Sequence, residues 1–174
     1  PGETIKGRQV AVLVAPGFAA PEVEAVREAL IAAGGTPVVI SSMLGPIPGA
    51  NSGAAEATKT FATAGSVLFD AVYVPGGAAS VAALRAGAAA LQFLREAHAH
   101  YKPIGATSEG ADLVRTALAQ AEQAEPDSVR GDVMAGVVIA ESVAGFPADF
   151  TQAIARHRFW ERDATQQMGG TVRP

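Results

Sequence analysis

PIGATSEGADLV, residues Pro103–Val114, is the stretch whose reading decides the fold. An apolar run, Pro103 to Ala106, enters a corner of small and polar residues, Thr107-Ser108-Glu109-Gly110. An amphipathic segment, Ala111 to Leu118, follows at once. The order reads as strand, tight turn, helix, with Gly110 supplying the room that a sharp turn needs. In α/β proteins such a corner lifts one side chain above the C-terminal edge of the sheet, where the first N–H groups of the new helix face it. Ser108 or Glu109 is that lifted residue.

Working outward, a second corner of the same kind is Pro75-Gly76-Gly77, which follows the apolar run Ala71–Val74. Gln9–Ala15 (QVAVLVA) and Thr36–Ser41 (TPVVIS) are near-continuous apolar runs rich in β-branched residues, the pattern of strands buried on both faces. Between them Pro21 opens a helix with Glu22 and Glu24 near its positive end; Val23, Val26, Leu30 and Ile31 recur at helical spacing, and Gly34-Gly35 stops it. Strand, helix, strand with short joints is a βαβ unit with parallel strands. Ala57–Ala62 suggests a short edge strand, and Ala78–Arg85 and Ala88–Tyr101 suggest helices, the second with Leu91 and Leu94 on one face beside Phe93. Glu122–Arg130 reads as a polar loop, Gly136–Ser142 as the last strand and Pro147–Asp163 as the last helix, with Phe150, Ile154, His157, Phe159 and Trp160 as docking residues. The expected fold is α/β: a flavodoxin-like, doubly wound parallel sheet of about five strands in three α/β/α layers. The expected division is a linker remnant over 1–8, one domain over 9–163 and a frayed tail over 164–174.

Composition narrows the functions. A chain of 174 residues, 49% apolar and 6% aromatic, suits one domain with a core of Val, Ile, Leu and Ala. The net charge of −4 and the scattered basic residues argue against nucleic-acid binding. The absence of cysteine excludes disulfides, thiolate catalysis and cysteine metal sites. No apolar run approaches the ~20 residues of a membrane helix, so no membrane partner is expected; the compartment stays open, with the cytoplasm as the default. His98 and His100 stand two apart and share a helical face poorly, so no metal site is expected. Gly76-Gly77 is not a dinucleotide fingerprint.

The two corners, PGG at 75–77 and TSEG at 107–110, resemble those of the ThiJ/PfpI and class I glutamine amidotransferase superfamily. There the PGG loop helps to shape a pocket and oxyanion hole, and a cysteine occupies the elbow. By that resemblance the elbow cysteine falls on Ser108, the next residue on Glu109 and the family glycine on Gly110. The superfamily's acidic partner falls near Ala19, where this chain has no carboxylate. IKGRQVAVLV, LFDAVYVPGG, HAHYKPIGATSEG and AIARHRFWER are more specifically similar to the C-terminal domain of large-subunit heme catalases, from about Ile5 to Arg162. That domain follows a heme-binding core and normally lacks the reactive cysteine.

The resemblance implies a non-catalytic accessory domain whose parent converts hydrogen peroxide to water and oxygen. The heme would sit in the parent and not in this chain, whose Tyr73 and Tyr101 match no heme-ligand motif. The implied partners are the catalase core and neighbouring subunits of a homotetramer, with unfolded client proteins as a further, chaperone-like possibility. Ser108, Glu109 and Gly110 are then a vestigial elbow, and Gly76, Gly77 and Ser108 a candidate pocket without an assigned cofactor. A serine nucleophile needs a base, and none of His98, His100 and His157 stands in a strand-end loop. Glu109 reads as a carboxylate placed at a helix N-terminus. Two alternatives remain: a stand-alone ThiJ/PfpI-type hydrolase or glyoxalase-like enzyme using Ser108, and a small-ligand sensor using the pocket between the corners.

Overall fold

The structure, a computed structural model, describes residues 4–123 and 135–156. β1 (Gln9–Leu13) lies inside the sheet, which explains its unbroken apolar sequence: Val10 and Val12 join the core on one face, Ala11 and Leu13 the core on the other. α1 (Ala20–Ala32) buries Val23, Val26 and Leu30. Ile31 is 56% exposed; one step past Leu30 turns it about 100° away from the sheet. β2 (Thr36–Ser41) pairs in parallel with β1.

The expected edge strand at 57–62 is present but only two residues long, and a separate hairpin precedes it. β3 (Gly45–Pro48) and β4 (Ala54–Ala57) form an antiparallel hairpin of their own, and only a two-residue β5 (Lys59–Thr60) pairs with the end of β2. Pro46 and Pro48 lack the N–H that a central strand needs but are tolerated in a two-stranded ribbon, where every strand is an edge. The hairpin is held by burial of Ile47, Ala55 and Ala57.

β6 (Ala71–Val74), α2 (Ala78–Ala86), α3 (Ala89–Ala99), β7 (Ile104–Thr107) and α4 (Gly110–Gln123) follow, then β8 (Val137–Ala140) and α5 (Phe146–Ala155). The sheet has six strands in the order β5-β2-β1-β6-β7-β8, every pairing parallel. One core lies under α2, α3 and α4; the other lies under α1, α5 and the hairpin. The flavodoxin-like α/β/α reading is borne out, with one more strand than expected. Phe93 and Leu94 are buried as expected of α3, with Leu91 packed at the margin of that core. α4 runs on to Gln123 through part of the stretch expected to be a loop; residues 124–130, the part of the expected last helix beyond Arg156 with His157, Phe159 and Trp160, and the expected tail 164–174 lie outside the described residues.

Two details extend the reading. Ile5 is 2% exposed and the Gly7 N–H donates to the Gly34 carbonyl, so the folded structure begins before Gln9. Lys102 is buried, and its ammonium donates to the Ser66 carbonyl at 2.7 Å; such a pairing is what makes a buried cation tolerable. β2 and β6 leave β1 on opposite sides, so the loops after β1 and β6 diverge above their shared edge, the usual crevice for a site in such sheets.

Candidate functional site

The two glycine corners meet in that crevice. Gly77 has φ 107°, open to glycine but strained for other residues, and a Cβ there would overlap the Gly17 carbonyl and lie 2.7 Å from the Phe18 Cα. The Ala19 N–H donates to the Gly76 carbonyl at 2.9 Å, tying the loop after β1 to the loop after β6. Gly110, the first residue of α4, lies against Val74 and Pro75 so closely that a Cβ would overlap the Val74 carbonyl. Ser108 therefore stands at a tight elbow with φ 50°, left-handed for a non-glycine residue. Its N–H donates to the Ala140 carbonyl at 2.9 Å.

The acidic group of this corner is Glu22, and it corrects the expectation of an empty position near Ala19. Glu22 lies three residues further on, in the first turn of α1, about one helical turn along. Its carboxylate accepts from the Gly76 N–H at 3.1 Å, from Thr107 Oγ1 at 2.5 Å and from Ser108 Oγ at 3.0 Å. Ser108 Oγ also lies 3.1 Å from the Glu141 carbonyl, so its single proton faces two acceptors. Since Thr107 gives its proton to Glu22, Tyr73 must be the donor in the 2.6 Å contact between the Tyr73 and Thr107 hydroxyls. Burial pushes the Tyr73 phenol well above its ordinary pKa, which keeps it protonated for that role. A polar chain thus runs from the core to the surface: Tyr73, Thr107, Glu22, Ser108.

Glu109 is exposed, yet its carboxylate accepts from the Gly77 N–H at 3.0 Å. That bond, with a second from its own N–H, holds its carboxyl below the ordinary glutamate pKa. Glu109 is a carboxylate at a helix N-terminus, and besides the N–H just before its own helix it serves the start of α2. The open cleft above, about 580 Å³, is lined by Ala19, Glu22, Gly77, Ser108, Glu109, Asp112 and Glu141.

The structure therefore brings Gly76, Gly77, Ser108, Glu109 and Gly110 together, and adds Glu22, Thr107 and Tyr73, which sequence reasoning missed. The available signal for Glu22 was a carboxylate in the first turn of the helix after β1, next to the sheet's C-terminal edge. His98 and His100 lie at the end of α3, by the start of β7 and away from the elbow at its far end; His157 is outside the described residues. Among the described residues no group of three or more His, Asp or Glu could hold a metal ion.

Comparison with known proteins agrees with this geometry. A family model for the C-terminal domain found in long catalases matches residues 6–164. Catalase-2 of Bacillus subtilis (strain 168) is 37% identical over 163 residues, covering 92% of this chain and 22% of that protein. Catalase-1 of Neurospora crassa is 33% identical over 175 residues, covering 92% of this chain and 24% of that protein. The chain thus spans less than a quarter of the length of either relative. The fold is shared with a ThiJ/PfpI domain protein from Brachyspira murdochii, at a TM-score of 0.69 and 17% identity over 87% of this chain and 96% of that one. With its elbow, its glycine corners and its sequence accounted for, the chain belongs to the family of C-terminal domains found in long catalases.

Proposed function

We propose that this chain is the accessory, non-catalytic domain of a heme catalase, and that it stabilises the oligomer of its parent. The observation that carries the non-catalytic reading is that the corner is filled by its own carboxylates. The N–H groups of Gly76 and Gly77, which would cradle a substrate oxyanion, already donate to Glu22 and Glu109. Ser108 has Glu22 as its neighbour where a nucleophile needs an imidazole. A carboxylate is a far weaker base toward a serine hydroxyl than the imidazole of a catalytic triad. An alkoxide at Ser108 would stand 3.0 Å from the Glu22 carboxylate, a repulsion on the order of 5 kcal/mol at an effective dielectric of about 20. The corner holds the fold together and has nothing with which to attack.

Tyr73 is not placed to hold a heme. Tyr73 is fully buried, its ring against Phe146 and Phe150 and its hydroxyl committed to Thr107. The heme and the peroxide chemistry are assigned to the core of the parent. Val67, Met43, Leu44 and Leu68 are each more than half exposed, and apolar side chains of this size left in solvent suit contact with the rest of an assembly. The same side chains would serve unfolded clients if the domain also acts as a chaperone.

The test is to remove this domain from the parent enzyme. Peroxide turnover per heme is expected to persist, while the oligomer dissociates at lower temperature and lower denaturant concentration. An oligomer that is equally stable without the domain overturns the stabilising role. A fluorophosphonate probe tests the corner: the chain is expected to stay unlabelled, with Ser108→Ala leaving hydrolase and glyoxalase signals at background. Labelling that disappears in Ser108→Ala would make this a serine enzyme.

A further inference from the structure

The two edges of the sheet are finished differently. At one edge β5 has only two residues, Lys59 and Thr60, a short strand with a charge, which discourages further pairing. At the other edge β8 reads Val137-Val138-Ile139-Ala140, with no charge and no proline, and its register against β7 runs without a bulge. Its side chains pack against the cores on both faces, Val137 and Ile139 on one, Val138 and Ala140 on the other. What stays open is the backbone rim. The Ile104 N–H donates to the Gly136 carbonyl and the Ser108 N–H to the Ala140 carbonyl, both at 2.9 Å, so positions 136, 138 and 140 turn their polar groups toward β7. Val137 and Ile139 turn theirs away, and among the described residues those two N–H and two C=O groups have no backbone partner.

We propose that this rim is a strand-addition site whose occupant is β8 of a second copy of the chain, antiparallel about a two-fold axis between the two Val138 residues. The inference deepens the reading above: it rests on an oligomeric parent and names one of its contacts. A row of backbone donors and acceptors is completed by another extended backbone, and this row is complementary to itself. With Val138 opposite the copy's Val138, Val137 stands opposite the copy's Ile139 and Ile139 opposite the copy's Val137. Each of those two pairs exchanges two N–H···O=C bonds, so all four open groups on each copy are used. A slip of one residue sets open groups against occupied ones and forms none of these bonds. The charges agree with the register: Glu141, which follows β8, stands opposite the copy's Ala135. The two Glu141 residues then lie at opposite ends of the contact, about 20 Å apart at ~3.3 Å per residue.

The experiment is disulfide capture on the full-length protein. The chain has no cysteine of its own. Directly opposed residues of a non-hydrogen-bonded antiparallel pair have Cα atoms ~4.5 Å apart, within the ~4.4–6.8 Å that a disulfide spans. Under mild oxidation Val138→Cys is expected to link two copies at position 138, identified by peptide mass spectrometry. The linkage should form about tenfold faster or more than with Ala82→Cys, exposed on α2. Adding Ile139→Pro, which deletes an outward N–H and no bond to β7, should slow it by about the same factor. In the wild-type oligomer the Ile139 amide is expected to exchange slowly with solvent deuterium. The proposal is overturned if Val138→Cys links no faster than Ala82→Cys, if Ile139→Pro leaves the linkage intact, or if the wild-type Ile139 amide is unprotected. A protected Ile139 amide without linkage also overturns it, and assigns the rim to residues 157–174 or to another strand of the parent. Should circular dichroism show that Ile139→Pro unfolds the chain, the other two measurements decide. Heme content and peroxide turnover of the same preparation test the catalase reading separately. An active heme enzyme that does not link sinks the rim contact alone, and linked copies without heme sink the catalase reading alone.

Discussion

Phe150→Ala is expected to destabilise the chain by about 3–5 kcal/mol, a large share of the ~5–15 kcal/mol typical of a domain. Phe150 is completely buried, stacked on Phe146 at 5.3 Å between ring centroids and tilted against Tyr73 at 6.0 Å. Beneath the rings lies Gly105 of β7, where a Cβ would come within 2.7 Å of Phe150 and 2.8 Å of Phe146. The bare backbone of that strand is the floor on which α5 rests. Removing the ring leaves a cavity with a flat, rigid floor, and the neighbouring aromatic rings lose a contact worth ~0.5–1.5 kcal/mol each. A urea titration followed by circular dichroism measures the effect, with Leu68→Ala, at a residue 53% exposed, expected to stay within ~0.5 kcal/mol of wild type. Equal midpoints for the two variants would mean that α5 does not dock as described.

A comparably large loss is expected at the elbow. Gly110→Val should prevent folding or lower the melting temperature severely, and Gly110→Ala should cost at least about 1–3 kcal/mol. The obstacle at this position is backbone: the Val74 carbonyl, and the Pro75 carbonyl oxygen, which lies 2.7 Å from where a Cβ would stand. Backbone oxygens at the end of a central strand and in the turn after it cannot swing aside as a side-chain tip can. Gly7→Ala is the informative contrast, because Gly7 has φ 77° but nothing within 4 Å of a Cβ. Its cost should be the left-handed strain alone, about 1–2 kcal/mol. For a chain of this size each kcal/mol shifts the melting temperature by ~2–4 °C, so a thermal scan separates the cases. If Gly110→Ala melts with the wild type, the close approach of α4 to β6 is wrong.

Much of this was legible in the sequence, for identifiable reasons. β1, β2, β6 and β7 announce themselves because strands inside the sheet are built almost wholly of apolar residues, β8 because its run is apolar although it is a half-buried edge strand, and both glycine corners because tight turns at strand ends need small residues. The β3–β4 hairpin was not legible: GPIP and AAEA have neither the β-branched content nor the turn chemistry that signals a strand pair. The role of Glu22 was hidden for a different reason. A carboxylate near the start of a helix has a sufficient local explanation, and only the fold shows it 3.0 Å from a serine 86 positions away. The chain from Tyr73 through Thr107 is of the same kind, since hydrogen bonds between distant segments leave no spacing to read. The expected docking of His157 and Trp160 concerns residues beyond those described.

The two corner glycines have a bearing on descent. Gly77 is hemmed in by the backbone of Gly17 and Phe18, and Gly110 by that of Val74 and Pro75. Neither contact involves a substrate. Selection for a chain that merely folds is therefore enough to keep both positions as glycine, and with them the outline of an elbow above the sheet. A lineage could discard its nucleophile and still inherit the shape of the room that housed it. For domains of this architecture, an elbow-shaped corner is accounted for by packing alone, and the groups standing inside it have to be asked about chemistry.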